Sequence, residues 1–387
     1  MLNIEKVDIG NKAQVKRFVR LPYQIYADCP QWVPPLDIDA YAQLDPKKHP
    51  FYAHSDVEFF LAVRDGRDVG RIAAIENKPF NRYHATREAD FYFFECENDP
   101  QAAAVLFETV TVWAKKRGLT RIVGPKGMGP LDGYGTLVFG FEHRQTMTML
   151  NYNHSYYPQL IEAQGFEKEV DFVSCYLPAD AFHVPERVER IALRALERGG
   201  LQVKKFKDKR ELLQWAPRIG DAYNKAFVSN WEYYPFTPQE IKFVVDNIMT
   251  VADHRLIKII THGDEVVGFL FAFHDVSAAL QRARGKLLPF GLPDLLLEMR
   301  RTHTVSVNGM GILPEFQGHG GNAILYYEMG QTLLNFGQFT HVEMTQVAET
   351  TLQMRADLKN LNGVEYKNNR VYHKDLTETT HDPAPSA

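Results

Sequence analysis

The sequence predicts an α/β (α+β) protein made of two similar halves. Residues 305–313 alternate between two faces at period two, whereas residues 323–336 carry apolar side chains at helical spacing, and a glycine-rich segment joins the two runs. The chain has 387 residues, which exceeds the usual size of one domain. The predicted strands and helices also repeat in the same order in the two halves. Together these observations predict two tandem α/β units.

Turn signals and helix caps define the elements of the first half, residues 1–178. Asp65-Gly66 predicts a hairpin turn, and Asp99 followed by Pro100 predicts a helix start. Six glycines between residues 124 and 141 argue against a regular element there. The predicted strands are 3–8, 57–63, 69–75, 91–94, 121–123, 147–150 and 166–177, and the predicted helices are 12–28, 100–117 and 158–163.

A linker helix at residues 179–199 leads to the second half, residues 200–376. The segments 163–167 and 361–365 occupy corresponding places before the two closing strands, which indicates an internal duplication. Residues 276–302 interrupt the repeated order as an insertion, and residues 377–387 are expected to form a disordered tail. The predicted strands are 201–206, 256–260, 266–273, 305–313, 341–347 and 364–374, and the predicted helices are 212–227, 238–249, 323–336 and 352–361.

Composition and charge argue against several classes of protein. The formal net charge of −4 at pH 7 argues against a general nucleic-acid binder. The basic segments 204–210 and 282–286 are interpreted as solvated surface. No run approaches the roughly 18 apolar residues of a membrane-spanning helix, and the N-terminus lacks the pattern of a signal peptide. The protein is therefore expected to be cytoplasmic, without a membrane span.

The cysteines and histidines indicate neither a disulfide scaffold nor a metal site. The three cysteines, Cys29, Cys96 and Cys175, are far apart and lack ligand spacing. The histidine pairs lack a third ligand at a suitable distance along the chain. We therefore expect a reducing compartment and no metal cofactor.

The segment 311–322, between a strand and a helix, is the main candidate for a ligand site. A helix start leaves about four backbone N–H groups without intrahelical partners, and glycines let a ligand approach them closely. Such a site favours phosphate. The segment lacks the patterns of a dinucleotide fingerprint and of a phosphate-binding P-loop. Taken alone, it fits a phosphate site and a purely structural strand-to-helix turn equally well.

The run from Gly311 to Gly320 resembles the acyl-CoA pyrophosphate loop of the GCN5-related N-acetyltransferase (GNAT) superfamily, whose pattern is Arg/Gln-x-x-Gly-x-Gly/Ala after a strand. Gln317 and Gly320 match the pattern, and Asn322 stands where the family has Gly or Ala. The order of elements in both halves is similar to that of the family. The resemblance implies two tandem GNAT-like domains, each a mixed, mostly antiparallel sheet flanked by helices.

The resemblance further implies that the second half binds acetyl-CoA, or another acyl-CoA, as a co-substrate. In place of the loop, the first half has the acidic segment 95–100, whose carboxylates would repel a pyrophosphate, so this half is expected to be degenerate. The expected cofactor contacts in the second half are Gly311, Ile312, Leu313, Gln317, Gly318, His319, Gly320, Gly321, Asn322, Thr345 and Val347.

Catalytic groups are expected near the ends of the strands that border this loop. Loops at 127–133, 151–157 and 231–234 are interpreted either as walls of a substrate pocket at the junction of the halves or as packed structural segments. The candidates for the general base are Glu343, Glu349, His274 and Asp275. The candidates for the acid are Tyr372 and Tyr326, because Leu358 stands where many family members have a tyrosine.

The predicted function is N-acyl transfer from acyl-CoA, with acetyl transfer favoured. The acyl group would pass directly to an amine of a small molecule or peptide in a ternary complex. Two alternatives stay open: aminoacyl or long-chain acyl transfer on the same fold, and a pseudoenzyme that binds acyl-CoA or another metabolite without turnover. No nucleic-acid partner is expected, and the pattern of residues indicates neither the acceptor nor the oligomeric state.

Overall fold

The computed structural model describes residues 1–129, 132–146, 150–231 and 233–376. Most of the strand predicted at 147–150 and the whole tail predicted at 377–387 lie outside the described residues. Single residues or pairs within the segments 127–133 and 231–234 also lie outside them. No helix in the described ranges is both long and apolar enough to cross a membrane.

The strands follow the predicted order with small shifts at their ends. One segment differs from the prediction that residues 124–141 contain no regular element, since Thr136–Phe139 forms a strand. The strand forms because Gly135 and Gly140 lie on either side of it and not within it. The strands are β1 (Leu2–Lys6), β2 (Asp56–Arg64), β3 (Arg67–Glu76), β4 (Glu88–Cys96), β5 (Arg121–Gly124), β6 (Thr136–Phe139), β7 (Glu167–Pro178), β8 (Gln202–Lys204), β9 (Ile257–His262), β10 (Glu265–His274), β11 (Thr304–Ile312), β12 (His341–Ala348) and β13 (Val364–Asp375).

The helices begin where the sequence supplies caps. Asp99 accepts hydrogen bonds from the backbone N–H groups of Gln101 and Ala102, with Pro100 as the first helical residue. The helices are α1 (Lys12–Ile25), α2 (Asp37–Ala42), α3 (Lys78–His84), α4 (Pro100–Lys116), α5 (Tyr157–Glu162), α6 (Glu186–Glu197), α7 (Lys209–Ala226), α8 (Pro238–Ile248), α9 (Ser277–Ala283), α10 (Gly291–Arg301), α11 (Gly321–Phe336) and α12 (Leu352–Asn360).

Within the described residues, the strands form one continuous mixed sheet. Its order is β1-β2-β3-β4-β5-β13-β7-β12-β11-β10-β9-β8, with β6 added beside β13. The pairs β4–β5 and β11–β12 are parallel, and the other pairs are antiparallel. The fold is therefore the predicted mixed, mostly antiparallel α/β arrangement.

The two halves exchange their closing strands at the centre of the sheet. β13, from the end of the chain, pairs with β5 of the first half, where Tyr372 lies opposite Gly124. β7, from the end of the first half, pairs with β12, where Cys175 lies opposite Met344. β7 and β13 also pair with each other. The predicted boundaries near residues 178 and 200 therefore cross a sheet that is continuous between the halves.

Alternation along the strands builds a layered core in the first half. On β2, Phe60 and Ala62 face the cluster that contains Leu106 of α4. The intervening Phe59 and Leu61 face the cluster that contains Phe18 of α1. Period-two alternation thus places one helix on each face of the sheet.

Candidate functional site

The strands β11 and β12 separate part of the way along their length. They pair in parallel from Thr304 opposite His341 to Val307 opposite Met344. Beyond that point β11 continues beside β10 as far as Ile312, while β12 stays with β7. Gly309, with φ of 102°, lies where the register between β10 and β11 shifts, a backbone conformation that favours glycine. A gap bordered by two strand edges results.

The glycine-rich loop enters α11 beside this gap. Gly318 and Gly320 have φ of 78° and 87°, and no side chain caps the start of α11. A Cβ added to Gly318 would meet nothing within 4 Å, whereas one at Gly320 would lie 2.9 Å from the Cβ of Ala195 on α6. The positive φ and the close packing of α6 therefore both require glycine at position 320. The first turn of α11 presents its backbone N–H groups at this edge.

A carboxylate from α12 lies against the first turn of α11. The Nδ2 of Asn322 donates to Oδ2 of Asp357 at 2.9 Å, and the hydroxyl of Tyr326 donates to the same oxygen at 3.3 Å. The other oxygen of Asp357 accepts from Nε2 of Gln353 at 3.0 Å. Burial raises the pKa of Tyr326 well above its usual value, so its phenol stays protonated. Asn322 is thus held on α12 and away from the glycines.

A cavity of about 1040 Å³ runs from the gap and the loop to the space beneath α7 and α8. It lies at the upper end of the roughly 300–1,000 Å³ that ligand pockets usually span. Backbone of β11, the loop and Thr345 to Ala348 of β12 form one end. The other end is apolar and is lined by Leu212, Ile219, Phe227, Ile241, Val245 and Ile248. The cavity joins a polar end suited to phosphate with a long apolar end.

Aromatic residues from both halves border the same cavity. Tyr134 stacks on Phe172 with ring centroids 5.2 Å apart, and Trp231 meets Phe172 edge-on at 5.5 Å. Trp231 and Tyr233, from the segment predicted to face a junction pocket, line the cavity. Tyr134 and Phe172 line it as well, so the first half contributes to the walls of the site in the second half.

The structure brings most of the predicted cofactor contacts to one cavity. Leu313 lies in the core, Gly321 packs on Ile312, and His319 is exposed, with Nδ1 3.1 Å from the carbonyl oxygen of Gln317. These three do not line the cavity among the described residues. The predicted contacts that do line it are Gly311, Ile312, Gln317, Gly318, Gly320, Asn322, Thr345 and Val347. Their cofactor roles stay predictions.

Glu343 lies on β12 before the strands separate and does not line the cavity. Its Oε1 lies 3.2 Å from Nζ of Lys367, and both side chains are almost fully buried. Nζ of Lys367 also donates to the carbonyl oxygen of Arg144 at 2.7 Å. The geometry therefore gives Glu343 a buried partner on β13.

The other predicted acid–base candidates also have partners outside the cavity. Glu349 accepts from Nζ of Lys168 at 2.8 Å and from the backbone N–H of Asp171 at 3.0 Å. The hydroxyl of Tyr372 donates to Oε1 of Glu162 at 3.0 Å within the first half, because β13 crosses into that half. Asp275 pairs with Arg144, and His274 lies 3.4 Å from Asp253. Of the candidates for the acid, Tyr326 alone lines the cavity among the described residues.

Sequence reasoning missed the residues that set the shape of the cavity. The apolar faces of α7 and α8 carried helical periodicity, but periodicity does not distinguish a core face from a cavity wall. Asp357 was missed because its contact with Asn322 joins residues 35 positions apart. Within the described residues, no group of three or more His, Cys, Asp or Glu side chains has the arrangement of a metal site.

A smaller cavity of about 480 Å³ lies beside β4 and is lined by residues of both halves. Asn151, Tyr152 and Tyr157, from the segment 151–157, line it. The carboxylate of Glu95 lies there and accepts from the hydroxyl of Tyr157 at 2.7 Å. Burial raises the pKa of this carboxyl group. Of the acidic segment predicted to exclude a pyrophosphate, Glu95 faces this cavity, whereas Glu97 pairs with Arg67 and Asp99 with Arg64. The degeneracy of the first half stays a prediction.

Comparison with solved structures identifies the fold. A tandem GNAT protein from the clavulanic acid biosynthesis pathway superposes with a TM-score of 0.57 at 11% identity, over 97% of this chain and 99% of that chain. The chain has the tandem GNAT fold. A GCN5-related glucosamine N-acetyltransferase region of a fungal β-N-acetylglucosaminidase superposes with a TM-score of 0.54 at 10% identity, over 97% of this chain and 38% of that chain.

Two curated proteins are similar to this chain along nearly its whole length. A bacterial ceramide synthase of Caulobacter vibrioides (strain NA1000 / CB15N) is 29% identical over 380 residues, covering 97% of this chain and 98% of that protein. Protein YghO of Escherichia coli (strain K12) is 25% identical over 379 residues, covering 95% of this chain and 94% of that protein. No family model matches the chain. The GNAT fold and the ceramide synthase relative support acyl transfer as the general class of reaction.

Proposed function

We propose that the chain is an N-acyltransferase that joins a long-chain acyl group from acyl-CoA to the primary amine of a long-chain amphiphile. The observation that carries this proposal is the cavity of about 1040 Å³, whose walls include many apolar side chains of α7 and α8 in addition to the loop and the strand edges. The ceramide synthase relative supports it, since ceramides are fatty-acid amides of long-chain amino alcohols. Of the alternatives open from sequence, long-chain transfer fits this cavity best.

In this proposal, the GNAT loop holds the diphosphate of the acyl-CoA substrate. Gly318 leaves space for a ligand, since no atom lies within 4 Å of its added Cβ. The uncapped first turn of α11 supplies backbone donors and a favourable dipole. Asn322, the departure from the family pattern, turns its amide to Asp357. The gap between β11 and β12 then admits the pantetheine arm.

The reaction makes a nitrogen–carbon and a sulfur–hydrogen bond and breaks a carbon–sulfur and a nitrogen–hydrogen bond. The amine nitrogen bonds to the acyl carbon, the carbon–sulfur bond breaks, and the amine proton ends on the sulfur of coenzyme A. Backbone N–H groups on the separated edge of β11, around Gly309 to Gly311, are suited to stabilise the developing oxyanion. The apolar end of the cavity excludes water from the alkyl chains, and each buried methylene contributes about 0.8 kcal/mol to binding.

A panel of donors and acceptors tests the proposal. The purified chain is incubated with acetyl-CoA or palmitoyl-CoA, and with sphinganine or ethanolamine, while released thiol is followed and amides are identified by mass spectrometry. We expect amide formation from palmitoyl-CoA and sphinganine, with much slower turnover of the other pairs. Efficient acetyl transfer to ethanolamine would instead support the acetyltransferase predicted from the resemblance. If no pair releases thiol, both the long-chain acyltransferase and the acetyltransferase assignments are contradicted.

A further inference from the structure

We infer that the insertion at residues 276–302 is a docking surface for membranes that contain anionic lipids. This inference rests on the proposed function, because a long-chain amine acceptor resides in a lipid bilayer. The insertion contains α9, a connecting loop and α10, and it lies between β10 and β11 of the acyl-CoA half. We call its exposed apolar residues the leucine face: Leu288, Phe290, Leu292, Leu296 and Leu297.

The leucine face is large and points to solvent. Leu288 and Phe290 are 78% and 80% exposed, which is unusual for side chains of this size. Leu292, Leu296 and Leu297 extend the same exposure along α10. Leu292 and Leu296 lie one turn apart on α10, and Leu297 widens this exposed side, while Leu295 packs inward. An interfacial helix has this pattern, with leucine and phenylalanine on its apolar face.

Cations surround the leucine face. Arg284, Lys286, Arg300 and Arg301 are all exposed at its two ends. The acidic residues of α10, Asp294 and Glu298, both pair with Arg282, and the insertion as a whole has five basic and two acidic residues, so its charge stays positive. Arg284, Lys286 and Arg300 have no ion pair among the described residues. Their charge contrasts with the net charge of −4 of the whole chain and complements an anionic lipid surface.

The insertion is anchored to the first half, so its exposure does not arise from a frayed segment. Nε2 of Gln281 donates to the carbonyl oxygens of Pro30 and Trp32 at 2.8 and 2.9 Å. The backbone N–H of Asp37 donates to the carbonyl oxygen of Gly285 at 2.7 Å. Leu280 and Leu295 pack with Val33 in a separate apolar cluster. The inner face is thus fixed while the outer face stays uncovered.

A cavity lies between this surface and the acyl-transfer site. Leu280, Leu287 and Leu295, on the inner side of the insertion, line the smaller cavity. That cavity and the large one share Val244, Ile248 and Phe273 as walls. Among the described residues, only these apolar side chains therefore separate the cavity under the insertion from the large cavity.

A second copy of the chain fits this surface less well than a bilayer. In a two-fold dimer a surface patch meets itself, which would bring the cations at the ends of the leucine face close to those of the partner copy. An anionic bilayer accepts both the apolar side chains and the surrounding charges. The leucine face supplies apolar area, and the cations at its ends supply positive charge. Stable membrane attachment requires two such signals together.

Co-sedimentation of the full chain with vesicles tests the inference, without acyl donor or acceptor. Two vesicle types are used: phosphatidylcholine alone, and phosphatidylcholine with phosphatidylglycerol. We expect binding to the anionic vesicles that weakens as salt is raised. Leu288→Ser/Phe290→Ser should lower the partition coefficient more than about tenfold. Arg284→Gln/Lys286→Gln should lower it about tenfold on anionic vesicles only.

The matched control is Phe139→Ser/Leu213→Ser, which removes an exposed phenylalanine and an exposed leucine from other surfaces. The control should bind vesicles as the native chain does, and equal loss in the control and the leucine-face variant would overturn the inference. So would absence of vesicle binding, or a dimer in solution that the leucine-face substitutions dissociate. Vesicle binding without acyl transfer would contradict the proposed function alone, whereas acyl transfer without vesicle binding would contradict the docking surface alone.

Discussion

The side-chain amide of Asn322 donates a 2.9 Å hydrogen bond to the carboxylate of Asp357, which joins the first turn of α11 to α12 at the edge of the large cavity. This contact places a negative charge where a diphosphate is proposed to bind. The carboxylate complements the helix dipole in the ligand-free chain and repels an incoming anion. Asp357 therefore weakens the site that Asn322 helps to shape.

We predict that Asp357→Asn tightens the binding of coenzyme A by about fivefold, equivalent to about 1 kcal/mol, because the charge is removed while an amide oxygen remains to accept from Asn322. Isothermal titration calorimetry measures the change. Asp264→Asn, in the turn between β9 and β10, is the control and should leave the affinity unchanged. Weaker binding in Asp357→Asn would mean that the carboxylate is needed to hold Asn322 in place.

Gly318 and Gly337 provide a matched pair at opposite ends of α11. Both have positive φ, of 78° and 69°, and a Cβ added to either would meet nothing within 4 Å. Replacing either by Glu should cost about 1 kcal/mol of stability. Gly318→Glu should also raise the Kd for coenzyme A more than about a hundredfold, because its carboxylate lies in the phosphate site. Equal affinities in the two variants would place the cofactor elsewhere.

The apolar walls of the large cavity on α7 and α8 predict selectivity for chain length. Ala216 lines the cavity on α7, one turn from Leu212 and Gly220. Ala216→Phe should displace about four methylenes of a bound chain and lower kcat/KM for palmitoyl-CoA about a hundredfold, while octanoyl-CoA is affected little. Steady-state kinetics with both donors measure the ratio. Ala163→Phe, at the exposed end of α5, serves as control, and an unchanged ratio in Ala216→Phe would contradict the long-chain assignment.

The buried pair of Glu343 and Lys367 tests one of the sequence-predicted bases. Glu343→Gln leaves the Lys367 ammonium buried without its carboxylate partner, which should cost about 3–5 kcal/mol of stability. Thermal unfolding should show the loss, and Glu343→Gln/Lys367→Met should recover part of it. At a temperature below the melting temperatures of the native chain and of Glu343→Gln, we expect the kcat of this variant to fall only a few-fold. A loss of about a thousandfold would instead establish Glu343 as the general base.

His49 predicts how stability depends on pH. Burial lowers the pKa of His49 to about 4, against a weaker opposing effect of Glu240, and nearby His54 lowers it further. Between that value and the ordinary 6.5, the unfolded chain binds a proton that the folded chain does not, so stability falls as pH falls through this window. His49→Asn keeps an acceptor for the backbone N–H of Phe51.

Chemical denaturation at about pH 7 and about pH 5 should show that the native chain loses about 2 kcal/mol more than His49→Asn between the two conditions. Lost packing against Phe243 should make the variant less stable at both values, so the comparison uses the difference between them. Parallel losses in the two proteins would show that His49 is not the group responsible.

Local features of the site were predictable because neighbouring residues determine them. The change from period two to helical period around Gly311 to Gly321 identified β11, the loop and α11, and Asp99 with Pro100 identified the start of α4. Contacts between residues that are distant along the chain were not predictable in this way. Tyr372 lies in the first half, hydrogen-bonded to Glu162, because β13 crosses the sheet.

By itself, the sequence determined the order of elements, the glycine loop and the similarity of the two halves, since periodicity, caps and positive-φ glycines act over a few residues. The tertiary structure alone decided the exchange of β7 and β13, the contact of Asn322 with Asp357 and the cavity beneath α7 and α8. Strand pairing and helix packing join residues that are distant along the chain. A local sequence pattern does not indicate which distant partner buries the most apolar surface.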